Sequence, residues 1–147
     1  MADISGFGAV VNVIASSTFP VGFPITQFSD DTDAFDFPSI QIGDKAMGVN
    51  GDLITWNRAT PLTGSISVIV GSTDDTALQL IAKNNRVGRG KANALDVITM
   101  TVIYPDTTSV TFTGGKITDA MFGKSLASTG RLKTRTYQFA FENVFGG

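Results

Sequence analysis

The sequence has no cysteine and no histidine. The first absence excludes disulfides and thiolate metal sites. The second removes the side chain most often used as a general base and as a metal ligand. Charge is also scarce: Asp, Glu, Lys and Arg make up 16% of the 147 residues, against a usual ~25%. So little charge on a folded chain points to surface that is covered by partners. Glutamate is nearly missing, with Glu142 the sole Glu among 13 acidic residues. Glu suits helices whereas Asp suits turns and caps, so helix is expected to be a minor component. No uninterrupted apolar run approaches the ~18 residues of a membrane helix. The opening MADISGFGAVV has no basic stretch, so no secretory signal is expected and synthesis inside the cell is the simplest expectation.

What is present reads as β structure in a single domain over residues 1–147. Sixteen glycines and eleven phenylalanines accompany runs rich in Val, Ile, Thr and Ser. FGAVVNVIA (7–15) reads as a buried strand. Residues 19–28 hold β-formers broken by Pro20 and Pro24, as in an edge strand or extended arm. The acidic SDDTDAFDF (29–37) reads as a wet loop. A short strand SIQI, a Gly-Asp turn, and Asn50-Gly51 leading into DLITW follow; Asn-Gly between β-formers is a hairpin signal. GSISVIV (64–70) alternates with Ile66, Val68 and Val70 on one face.

The period then changes. In STDDTALQLIAKNN, Ser72 or Thr73 can cap a helix, and Asp74 and Asp75 suit its first turn. Ala77, Leu78, Ile81 and Ala82 share one face, with Gly88 available to close the end. This predicts a single helix over about 73–86. Alternating strands return in DVITMTVIY (96–104) and TSVTFTG (108–114), with turns at Pro105-Asp106 and Gly114-Gly115. In TRTYQFAFENV (134–144), Tyr137, Phe139 and Phe141 share a face. The expected fold is mainly β, an antiparallel sandwich or barrel with one flanking helix.

Charge is divided along the chain. Residues 1–80 carry nine Asp against Lys45 and Arg58, a net of −7; residues 81–147 carry nine cations against four acids, a net of +5. An acidic face and a basic face would steer copies into a head-to-tail stack; a mixed surface is the alternative. The segments for such contacts are the acidic loop with Asp30, Asp31, Asp33 and Asp36, the loop with Arg86, Arg89 and Lys91, and the cluster Arg131, Lys133 and Arg135 beside Lys124.

Motifs of chemistry fail on inspection. Gly123-Lys124-Ser125 ends like a phosphate-binding loop, but Thr118 stands where its first Gly belongs. Gly90-Lys91 fails likewise at Asn85 and Ala92. Asp31 and Asp33 start a calcium-loop spacing that Phe35 interrupts. No pair of carboxylates is singled out for acid–base work. Neither an enzyme, nor a cofactor, nor a metal site is expected.

The order of parts carries a resemblance: a β-rich opening ending in a wet loop, GSISVIVG running directly into STDDTALQLIA, a Gly- and cation-bearing loop, the hairpin DVITMTVIYPDTTSVTFTGG, then KITDAMFGKSL and KTRTYQFAFENV. Over most of its length the chain resembles tail tube proteins of contractile-tailed bacteriophages. That resemblance implies a two-sheet sandwich with a flanking helix, whose copies close hexameric rings. The rings stack into a hollow tube inside a sheath, assembled in the host cytoplasm, with sheath, baseplate and terminator proteins as partners. Phage DNA would pass through the bore without sequence-specific binding. The hydroxyl-bearing faces of Thr99, Thr101, Ser109, Thr111 and Thr113 are the candidates for the bore wall, since basic walls would hold DNA by counterion release. Alternative functions are another ring component (tail terminator, baseplate or capsid decoration) or a β-sandwich binding module.

Overall fold

A computed structural model describes residues 9–26, 28, 35–89, 95–124, 126, 128, 130, 132 and 134–146. The fold is mainly β with one helix, as the composition implies. Its strands, in chain order, are β1 (Val10–Ala15), β2 (Phe19–Ile25), β3 (Phe35–Asp36), β4 (Gly43–Met47), β5 (Leu53–Asn57) and β6 (Leu62–Val68), then helix α1 (Thr73–Asn85), β7 (Ile98–Ile103), β8 (Ser109–Asp119), β9 (Arg135–Phe141) and β10 (Asn143–Gly146). Pairing is antiparallel throughout, in the order β2-β1-β7-β8-β9-β6-β3, with β10 also on β8 and β4-β5 as a separate hairpin.

One ladder makes this a sandwich. The long strand β8 bends at Gly114 and Gly115, opposite the break at Glu142 that separates β9 from β10. Before the bend β8 pairs with β7 and β10; after it, β8 pairs with β9. The sheet therefore folds over on itself. Gly114 has φ +65, and a Cβ on Gly115 would stand 2.3 Å from the Phe141 ring and 2.9 Å from the Ile98 carbonyl. Only glycine tolerates that approach. The two glycines are thus a bend inside a strand, whereas the sequence suggested a turn ending one.

Between the two halves lies the core. Val11 and Val13 from β1, Ile98, Met100 and Val102 from β7, and Ile66, Val68, Tyr137, Phe139 and Phe141 from β6 and β9 are all buried. These are the alternate positions expected from period two. Phe37 stacks on Phe112 at 4.7 Å, and Phe112 meets Phe141 at 5.2 Å, so aromatics fill the bent side. Burying each such ring contributes about 1.5–3 kcal/mol.

Helix α1 starts as the sequence indicates. Ser72 is the N-cap and its side chain accepts from the Asp75 N–H at 3.1 Å. Leu78, Ile81 and Ala82 face the core. Its end differs: Arg86 terminates it in an extended conformation, φ −80 and ψ 127, so Gly88 is not needed for closure. The C-terminal side of the helix is held by Asn85, whose amide donates to the Ile81 carbonyl and to Asp96 Oδ2.

Two other expectations change. Residues 39–42 form no strand; the hairpin begins at Gly43 and runs through the Gly-Asp pair expected to turn. The cause is visible in their partners, because the Gln41 and Ile42 carbonyls accept from Thr60 Oγ1 and the Arg58 N–H. The turn at Asn50-Gly51 is real and longer than two residues: Gly48 N–H donates to the Asp52 carbonyl at 2.7 Å and Gly51 takes φ +84. A left-handed glycine closing a three-residue loop is a common hairpin geometry.

Candidate functional site, an assembly surface

The hairpin β4-β5 carries the largest apolar exposure. Among the described residues its strands pack chiefly on each other. Pairs Met47–Leu53 and Ala46–Ile54 lie on opposite faces, with Trp56 beside Ile54 on the second. Met47, Leu53, Ile54 and Trp56 are 68%, 62%, 53% and 46% exposed. A lone two-stranded hairpin is marginal in water, and clustered exposed apolar groups mark interaction sites. The hairpin's base is tied, since Arg58 Nη1 donates to Gln41 Oε1 at 2.8 Å and pairs with Asp44 at 3.5 Å. It is therefore a positioned element whose apolar faces lack cover within the described part of the subunit.

A second surface is defined by what it lacks. Strands β1, β2, β7, residues 109–115 of β8, and β10 contain no Asp, Glu, Lys or Arg. The outward face of this half-sheet presents Asn12, Thr99, Thr101, Ser109, Thr111 and Thr113, together with the exposed Ile14, Ile103 and Phe145. Thr101 and Thr111 face each other across the ladder, their hydroxyls 3.4 Å apart. The five hydroxyl residues picked out by alternation thus lie on one uncharged face.

The charged candidates scatter. Asp30, Asp31, Asp33, Lys91, Arg131 and Lys133 lie outside the described residues. Asp36 is exposed in β3, opposite Ser65. Arg86 and Arg89 are exposed beyond the helix end, and Arg86 lines a shallow cleft with Asp119 and Phe122. Arg135 corrects the sequence expectation. It is 8% exposed, with Nη1 donating to Asp75 Oδ2 at 2.8 Å and Nε to the Gly123 carbonyl at 3.4 Å. Its guanidinium is committed to the core side of β9 and is not offered to a neighbouring molecule.

That pair belongs to a polar cluster the sequence did not reveal. Tyr137 Oη donates to Asp75 Oδ1 at 2.8 Å and accepts from Gln79 Nε2 at 2.7 Å; Gly71 N–H also donates to Asp75. Burial pushes the Tyr137 hydroxyl far above its ordinary range, reinforced by the Asp75 carboxylate. The cluster ties the first turns of α1 to β9. A second buried carboxylate, Asp96, accepts from the backbone N–H of Ser17 and Thr18, the Thr18 hydroxyl and the Asn85 amide. Burial pushes its carboxyl up, but these hydrogen bonds outweigh it and hold it below the usual carboxylate range. Both clusters are satisfied internally. Among the described residues no group of three or more carboxylates is placed to hold a metal ion, and no helix is long and apolar enough to cross a membrane.

A family model described as tail fiber protein gp32 matches residues 2–145. The chain belongs to that family. Comparison with curated proteins finds no match. Solved structures share the fold of this gp32-family chain from end to end. One is the sheath/tube terminator of an extracellular contractile injection system, PVC, in its extended state: TM-score 0.61, 12% identity, covering 100% of this chain and 98% of that one. Another comes from the baseplate of the anti-feeding prophage, AFP: TM-score 0.59, 11% identity, 100% and 96% coverage. A third comes from the AFP tube-terminating cap: TM-score 0.57, 9% identity, 100% and 92% coverage. Family membership makes the chain a phage-type tail protein.

Proposed function

We propose that this gp32-family chain is a structural subunit whose copies form a ring at an end of a contractile tail's tube, as a terminator or baseplate component. The observation that carries the proposal is the exposed β4-β5 hairpin, with apolar groups on both faces that lack cover among the described residues. Such an element is completed by assembly. The choice of a tube end over the tube proper rests on the fold neighbours, which come from a terminator, a baseplate and a cap. The tube subunit suggested by sequence resemblance becomes the alternative. Hexameric symmetry fits the six-fold symmetrised baseplate of the second neighbour.

In this arrangement the sheath and tube are the partners and the work is mechanical. The uncharged face bearing Thr99, Thr101, Ser109, Thr111 and Thr113 is the surface suited to a DNA-conducting bore. It offers no cations to trap phosphates and no anions to repel them. Negative-stain microscopy and light scattering on the purified protein test the reading. Discrete rings are the expected result, with Trp56→Lys shifting the population to folded single subunits. Long stacked tubes would favour the tube subunit. A strictly single subunit at high concentration would overturn assembly altogether.

A further inference from the structure

The sheet edges differ in how open they are to another strand, and the difference singles out which two meet. The half-sheet β2-β1-β7-β8-β10 has two edges. At one, β2 carries Pro20 and Pro24, neither of which has an N–H to give an added strand; Pro24 sits opposite Asn12 in the ladder. That edge is closed to extension, as natural edge strands often are. At the other, β10 reads NVFG, without proline or charge, and Phe145 is 61% exposed. On its inner side β10 bonds to β8; its outer side is unpaired among the described residues.

The hairpin is asymmetric in the same way. Strand β4 reads GDKAM and carries Asp44 and Lys45, and an edge lysine defends against pairing. Strand β5 reads LITWN, with no charge and no proline, rich in β-formers, and exposed at every position. Within the described residues, β5 and β10 are therefore the two strands that leave an outer edge free of both proline and charge. They lie in the same chain, in different sheets.

We propose that β5 of one copy adds to the outer edge of β10 of a second copy. This rests on the assembly reading above and names the contact by which it happens. Main-chain hydrogen bonds would supply the adhesion and the exposed Phe145, Ile54 and Trp56 the side-chain packing. Because β5 meets β10 and not another β5, the contact is heterologous and propagates round a ring until it closes. The proline-bearing β2 edge stays out of it.

The absence of native cysteine makes cross-linking decisive. Thr55→Cys protein is mixed with Val144→Cys protein under mild oxidation, and separately with Val21→Cys protein, which reports on β2. The expected result is a mixed disulfide dimer in the first mixture and none in the second. In parallel, hydrogen exchange on the unsubstituted assembly should slow the β5 amides not bonded to β4, and those of β10, by at least about tenfold relative to dissociated subunits, while residues 19–25 stay unchanged. Rings that form with neither the 55–144 link nor this protection overturn the pairing and leave the assembly reading intact. Linkage of position 55 to position 21 also overturns it. Protein that never assembles removes both.

Discussion

Removing the Arg135 guanidinium while keeping its stem, as in Arg135→Met, isolates one ionic contact inside the subunit. The variant leaves the first turn of α1 with a buried carboxylate, Asp75, that has lost the cation it pairs with. Asp75 keeps the Tyr137 hydroxyl and the Gly71 N–H as donors, and it stays at the positive end of a helix, so the charge is not stranded entirely. Breaking a buried pair from one side costs about 3–5 kcal/mol, a large share of the about 5–15 kcal/mol that holds a domain together. For a chain of this length the midpoint of thermal unfolding should fall by roughly 6–20 °C. The assay is urea unfolding at concentrations below assembly, comparing midpoints at constant m. The matched surface variant Arg86→Met, at an exposed site, should move stability by no more than about 0.5 kcal/mol. A double-mutant cycle with Asp75→Asn should show strong coupling, since the two side chains touch at 2.8 Å. If Arg135→Met unfolds within about 0.5 kcal/mol of the parent, the claim that this pair fastens the helix to the sheet is wrong. The same reasoning changes the meaning of charge reversal at this site. Arg135→Glu would set two carboxylates together in the core, so any loss of assembly would follow from loss of folding rather than from altered steering.

Two further expectations come from the fold. Asp96 has its carboxyl held below the usual range by four hydrogen-bond donors despite burial. The folded form therefore binds its proton less readily than the unfolded chain. Its stabilising contribution is complete above the unfolded carboxylate range near pH ~4 and is lost as pH falls through the lower folded value. Asp96→Asn should flatten the acid limb of the stability–pH curve between about pH 5 and 2; an unaltered limb would refute the assignment. At the bend of β8, Gly115→Ala should cost about 1–3 kcal/mol through overpacking against Phe141 and the Ile98 carbonyl. Pairing it with Phe141→Leu should return part of that loss in thermal melts, and no return would place the strain in the backbone alone.

Much of the architecture was legible because alternation is a local signal. The inward Tyr137, Phe139 and Phe141, the outward Thr99, Thr101 and Thr111, and the capped helix from Thr73 all follow from spacing. Arg135 shows how such a signal can be overlooked: it has the same parity as Tyr137, so period two already placed it inward. A charged side chain ordinarily belongs at the surface, and the partner that holds this one inside, Asp75, is sixty residues away in sequence. The bend at Gly114-Gly115 is hidden in the sequence for a related reason. Two glycines look alike in a turn and in a strand whose neighbour presses close, and only the Phe141 ring distinguishes them. The hairpin's apolar pairs, Met47–Leu53 and Ala46–Ile54, were present in the sequence. That they stay exposed among the described residues becomes visible only in three dimensions.

The strands without ionisable groups carry a consequence of their own. Protons and counter-ions act on charge, and a wall that carries none is indifferent to both. The medium bathing a tail can change in acidity and in salt. Adhesion or passage along β1, β2, β7, residues 109–115 of β8 and β10 would keep the same character through that change, because acidity and ionic strength find nothing there to titrate or screen.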